Sequence, residues 1–285
     1  MNNKSNIILV PIDFSKQSLI ALRQSFNVAR LNKSSITLLY VYEELNPVVR
    51  LVSTENYKEI RVNLMERLKN LAKATKKESG LEINCKIVKG KPHKKIVDVA
   101  YELGATMIVM GTRGVSALKS NFIGATALRV VKTAPCPVIT IKGKKHRKGC
   151  KTIIVPLDLT KETSQKVEKA IGLAKYFNST IRLVSFIGQE ENYEIERMKN
   201  QLLYAAMKID DQKMEHEADL VKYLKSDESI AEALADYAKH FKGDLIAIMT
   251  QEEESLSKYL LGSAAQEIIR TSDIPVLSIR PEYKK

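Results

Sequence analysis

Short, largely uninterrupted apolar runs alternate along the chain with longer segments in which apolar residues recur at helical spacing. Ile7 to Val10, Ile36 to Val41, Ile83 to Val88, Met107 to Met110 and Val138 to Ile141 are too short for helices. Their apolar content predicts strands buried on both faces. Between them Leu22, Phe26 and Ala29 share one helical face, as do Ile60, Leu64, Leu68 and Leu71, and Ile96 with Ala100 opens a third helix. A fourth helix is expected to start near Gly124 and to stop before Pro135. Strand and helix in alternation predict an α/β domain on a buried parallel sheet.

The pattern occurs twice. Residues 7 to 41 align without a gap, at an offset of 145, with the segment that begins at Thr152, so that Pro11 meets Pro156, Asp13 meets Asp158 and Ala29 meets Ala174. Near the end of each half Gly124 meets Gly262 and Pro137 meets Pro275 at an offset of 138. Two copies of one domain account for nearly the whole chain, with expected bounds of 1–143 and 150–285 and a basic linker at 144–149.

With 285 residues, 44% hydrophobic and 28% charged, the chain has the composition of a globular protein rather than a disordered one. No apolar stretch approaches the ~20 residues that span a bilayer, and the first residues carry no signal-peptide pattern, so a cytoplasmic protein without membrane contact is expected. Three cysteines (Cys85, Cys136, Cys150) without CxxC spacing read as reduced, mostly buried thiols. His93, His146, His216 and His240 show no ligand spacing, and no metal site is expected. The net charge of +13 is uneven, because residues 1–145 hold 25 Lys and Arg against 10 Asp and Glu, whereas residues 146–285 hold 21 against 23. That excess fits an anionic partner of the first half or a solvated lysine-rich surface.

In open α/β sheets ligands sit at the carboxyl ends of strands, where the strand order reverses. Two loops of the first copy leave such ends: Pro11-Ile12-Asp13-Phe14-Ser15, and Gly111-Thr112-Arg113-Gly114, which is followed by Gly124-Ala125-Thr126 at the expected helix start. Glycines admit a ligand close to the backbone, and the free N–H groups of a helix's first turn attract an anion, so the spacing suits a phosphate cradle. Asp13 reads either as a ligand-binding carboxylate or as a loop or helix-capping one.

These loops, with Gly90-Lys91-Pro92 and Pro135-Cys136-Pro137-Val138, resemble the universal stress protein family over both copies. The resemblance implies two tandem flavodoxin-like (Rossmann-like) α/β domains, each an open five-stranded parallel sheet with helices on both faces. A subset of the family binds ATP through G-x2-G-x9-G-(S/T). Gly111, Gly114 and Gly124 match its glycines, Ala125 departs from the Ser/Thr position, and Thr126 beside it offers a substitute hydroxyl. Asp13 matches the aspartate that contacts the nucleoside and Val41 the residue whose backbone meets the base, with Pro11, Met110 and Arg113 completing the candidate site. ATP or ADP is the implied ligand, with magnesium accompanying the triphosphate.

The second copy places Met249 and Glu252 where the first has Gly111 and Gly114, and Glu252, Glu253 and Glu254 would put three negative charges where phosphate should lie. Gly262-Ser263 persists, with Gly262 read as structural. No Ser/His/Asp set, paired-carboxylate site or Walker motif emerges, so a binding protein, at most a slow ATPase, is expected. The alternative is a nucleotide-free tandem scaffold or small-molecule carrier. Nucleic-acid binding is disfavoured by 6% aromatics and the lack of a recognised motif. Because family members commonly dimerise through the last strand, Val138–Ile141 and Val276–Ile279 are expected to join the copies as an intrachain pseudo-dimer, leaving a further homodimer open.

Overall fold

Alternation within β1 (Ile7–Pro11) explains the sheet's position: Ile8 and Val10 enter the core on one face and Leu9 the core on the other, all fully buried. The computed structural model describes residues 6–43, 54–114, 124–143, 149–159, 163–188, 192–222, 229–250 and 262–281. The first half continues with α1 (Lys16–Leu31), β2 (Ser35–Tyr42), α2 (Thr54–Ser79), β3 (Ile83–Lys89), α3 (Pro92–Glu102), β4 (Met107–Gly111), α4 (Ala125–Thr133) and β5 (Val138–Ile141). The second half runs β6 (Thr152–Pro156), α5 (Thr163–Phe177), β7 (Thr180–Ile187), α6 (Asn192–Asp210), β8 (His216–Lys222), α7 (Ile230–His240), β9 (Leu245–Met249), α8 (Ser263–Thr271) and β10 (Val276–Ile279). Helices α1, α2, α5 and α6 cover one face, and α3, α4, α7 and α8 the other.

All five expected strands of the first copy form, each within one residue of the sequence bounds. Leu22, Phe26, Ala29, Leu68, Ile96 and Ala100 are buried as their spacing requires, whereas the Ile60 side chain lies outside the described residues. Pro135 bounds the fourth helix because a proline restricts the residue before it to extended geometry, and Ala134 has a ψ of 142°.

Each half is a parallel sheet, but the two do not stay separate. Their strands form one ten-stranded sheet in the order β3, β2, β1, β4, β5, β10, β9, β6, β7, β8. The halves meet where β5 and β10 run antiparallel, with Thr140 opposite Val276, Ile139 opposite Leu277 and Val138 opposite Ser278. Lys142 reinforces the seam by donating from Nζ to the Thr271 carbonyl (3.0 Å), 3.5 Å from an Asp273 carboxylate oxygen. Residues 144–148 of the expected linker lie outside the described residues.

The cysteines are less uniform than expected. All three are free, but only Cys150 is buried, Cys85 and Cys136 being half-buried. Cys85 sits on β3, an outer strand of the sheet. Burial still pushes the Cys136 thiol up to about 12, so it is protonated at neutral pH. Among the described residues no helix is long and apolar enough to cross a membrane, and no group of three or more His, Cys, Asp or Glu is placed to hold a metal.

Ile139 and Leu277 face each other across the seam, 3% and 1% exposed. Ile139→Ala is expected to cost about 2–5 kcal/mol, read by urea denaturation. A loss below about 1 kcal/mol would contradict tight packing at the seam.

Candidate functional site

Strands β1 and β4 lie side by side, yet β2 continues from β1 in one direction and β5 from β4 in the other. The strand order therefore reverses between them, and a cleft of about 930 Å³ opens at their carboxyl ends. All ten residues singled out from the sequence line this cleft.

The loop after β1 is held to β2 by the Ile12 N–H, which donates to the Leu39 carbonyl (2.8 Å). Ser15, not Asp13, caps α1: its hydroxyl accepts from the Ser18 N–H. Asp13 instead accepts the Ser15 N–H on Oδ1 (2.9 Å), which fixes the turn and leaves the carboxylate on the cleft wall. Phe14 adopts a left-handed φ of 61°, unusual for an aromatic residue. Its ring is sandwiched in place, with the Arg67 guanidinium 4.3 Å from the centroid and the Tyr40 ring at 5.6 Å.

Each of the three glycines is pressed against its surroundings. A Cβ on Gly111 would come within 2.9 Å of Gln17 Cβ, on Gly114 within 2.8 Å of Asp13 Oδ2, and on Gly124 within 3.1 Å of the Thr112 carbonyl oxygen. Thr112 anchors the loop by donating from both its N–H (3.0 Å) and its hydroxyl (3.4 Å) to the Ile141 carbonyl, while its own carbonyl accepts the Gly124 N–H (2.7 Å). No side chain caps α4 at Gly124. Helix geometry leaves first-turn amides there, those of Ala125 and Thr126, for an outside acceptor on the cleft side. Arg113 lines the same wall. His93, at the start of α3, is held below its usual pKa by partial burial and then by the nearby cations Arg129, Lys94 and Lys91, so at neutral pH it adds little charge.

The second half repeats the hydrogen bonds of this loop but differs in the residues beneath the loop after β6. Thr250 donates from its N–H (2.9 Å) and hydroxyl (3.3 Å) to the Ile279 carbonyl, and the Gly262 N–H donates to the Thr250 carbonyl (3.2 Å). Gly262 thus makes the bond that Gly124 makes in the first half. The loop after β6 carries an occupant of its own. Lys166, at the place of the fully buried Ala21, donates from Nζ to the Pro156 carbonyl (2.8 Å) and lies 3.5 Å from Asp158 Oδ1. The Thr163 hydroxyl donates to the Asp158 carbonyl (3.0 Å). Between α5 and α6 lies a separate groove of about 180 Å³, lined by Thr163, Gln201 and Tyr204 among others. Glu252, Glu253 and Glu254 lie outside the described residues.

Phe14, Tyr40, Glu43 and Arg67 also line the first cleft and were not singled out. A signal existed for one of them: Arg67 stands three residues after Leu64 and one before Leu68, on the flank of the apolar stripe of α2, where a long side chain reaches over the core edge.

A profile of the universal stress protein family matches residues 4–142 and again 149–280. A universal stress protein of Methanocaldococcus jannaschii is 33% identical over 141 residues, 48% of this chain and 82% of the relative. Universal stress protein YxiE of Bacillus subtilis is 31% identical over 147 residues, 48% of this chain and 99% of the relative. A solved universal stress protein from Archaeoglobus fulgidus superimposes with a TM-score of 0.78, covering 97% of this chain and 98% of its own, at 19% identity, a likeness of fold. Matched twice along its length, this chain belongs to the universal stress protein family as a tandem, two-domain member.

Proposed function

We propose that the first domain binds one adenine nucleotide, ATP or ADP, and that the chain works by carrying it rather than by transforming it. The observation that supports this most is the uncapped start of α4, set behind three glycines at which a Cβ would lie 2.8–3.1 Å from a neighbouring atom, on a cleft of about 930 Å³. Phosphate oxygens would accept the Ala125 and Thr126 amides at the positive end of the helix, with the Arg113 guanidinium on the same wall. The nucleoside would extend toward Asp13 and Val41. Magnesium, if it accompanies a triphosphate, would be held chiefly by the phosphates, since the carboxylates on this wall are Asp13 and Glu43 alone among the described residues. Among the described residues lining the candidate site there is no activated nucleophile or general base pair, which favours storage or signalling over turnover.

Ala125 favours a second reading, a nucleotide-free scaffold or carrier, because its methyl stands where the family's ATP-binding pattern has a hydroxyl. Calorimetric titration with ATP separates the two. A stoichiometry near one is expected, abolished by Gly124→Asp, which forces a side chain against the Thr112 carbonyl and a negative charge onto the cradle, and retained in Gly262→Asp. Two equivalent sites, or no binding at millimolar ATP, would defeat the proposal.

Ala125→Ser adds a hydroxyl next to phosphate, and a hydrogen bond to a charged acceptor is worth ~1.5–3 kcal/mol before ordering costs. ATP affinity is expected to rise roughly tenfold, with a much smaller gain for AMP, which lacks the outer phosphates. Unchanged ATP affinity would remove the phosphates from this helix start.

A further inference from the structure

We propose that the outer face of α6, centred on Leu203, Tyr204 and Met207, is the surface through which two copies of this chain associate. Helix α6 is apolar on opposite sides. Leu202, Ala206 and Ile209 are buried against the sheet, whereas Leu203, Tyr204 and Met207 are 56% to 61% exposed and Tyr193 extends the same outer stripe. A solvent-facing helix ordinarily turns a polar face outward, and clustered exposed apolar side chains mark contact surfaces.

The chain contains its own control. Helix α2 holds the equivalent place in the first half, with Leu68, Ala72 and Thr75 buried in the register of Leu202, Ala206 and Ile209. Where α6 has Leu203, Tyr204 and Met207, α2 has Lys69, Asn70 and Lys73, all exposed. The same fold position is thus polar in one copy and apolar in the other, so packing within the domain does not require the apolar face.

Charge selects a second copy as the occupant. Helix α6 packs over β7 and β8 at the far end of the ten-stranded sheet from the basic half. Residues 146–285 hold 21 Lys and Arg against 23 Asp and Glu, so joining two chains there brings near-neutral ends together. It also keeps the two halves of 25 against 10 well beyond the ~8–10 Å over which physiological salt screens charge. A two-fold contact needs one self-complementary patch, which an uncharged Leu-Tyr-Met cluster provides. Arg197, 5.7 Å from the Tyr193 ring, and Lys208, 5.2 Å from the Tyr204 ring, give it a polar rim. Strands β5 and β10 are already spent on each other and leave no edge for a second chain.

Sedimentation velocity on the full chain tests the proposal. The wild type is expected at twice its 32.1 kDa mass. The triple variant Leu203→Lys, Tyr204→Asn, Met207→Lys, which copies the residues of α2, is expected at 32.1 kDa with an unaltered circular dichroism spectrum, its dimer dissociation constant raised roughly thirtyfold or more. Leu203→Asp alone serves if the triple variant misfolds, with the same direction expected. A wild type that stays monomeric up to about 100 µM, including one that instead captures an unrelated protein through this face, overturns the proposal, as does a dimer that survives the substitutions.

Discussion

A free strand edge presents a row of unpaired N–H and C=O groups, and the antiparallel pairing of β5 with β10 removes two such edges at once. Both glycine loops are built from that seam outward. Ile141, the last residue of β5, accepts two hydrogen bonds from Thr112, and Thr112 in turn accepts the Gly124 N–H at the start of α4. Ile279, Thr250 and Gly262 repeat the chain of bonds from β10. Gln17, whose Cβ lies where a Gly111 Cβ would collide, donates its amide to the Lys142 carbonyl (2.8 Å), and the Lys142 ammonium crosses to Thr271 in the other half. The rigidity of the candidate cradle is thereby a property of the joined pair of domains.

Given that shared frame, the copies diverge in side chains rather than in backbone. Ala21 of α1 places only a methyl group beneath the first loop, whereas Lys166 at its place bonds the Pro156 carbonyl and approaches Asp158. A buried ammonium with these partners is costly to move, because leaving a polar group unpaired in the interior costs ~1–3 kcal/mol. The α3 and α7 starts differ likewise. Ser229 and Glu232 close the α7 start with reciprocal hydrogen bonds, but α3 begins at Pro92 with no side-chain cap. In the first domain the starts of α3 and α4 carry no side-chain cap, and the proposed nucleotide is the occupant that would complement the start of α4.

The strands and the duplication were legible because burial on both faces of a parallel sheet demands unbroken apolar runs, and Ile8, Leu9 and Val10 obey that demand literally. The candidate cradle was legible through the spacing of Gly111, Gly114 and Gly124, at each of which a Cβ would lie 2.8–3.1 Å from a neighbouring atom. Features that depend on distant neighbours were not legible. The left-handed Phe14 is held by Arg67, which stands 53 residues further along the chain. Lys166 reads in sequence as one more surface lysine until the Pro156 carbonyl is placed beside it. The capping role fell to Ser15 rather than Asp13 because only its hydroxyl reaches the Ser18 amide from the extended cap position.

The central claim is that one of two homologous loops is a working anion cradle, and backbone amide hydrogen exchange with and without ATP measures it at both loops in one experiment. Protection is expected to rise at Gly111 to Gly114 and at Ala125 to Ala127, with no change at Thr250 or at Ser263 to Ala265. Equal protection in both halves, or none in either at saturating ATP, would contradict it.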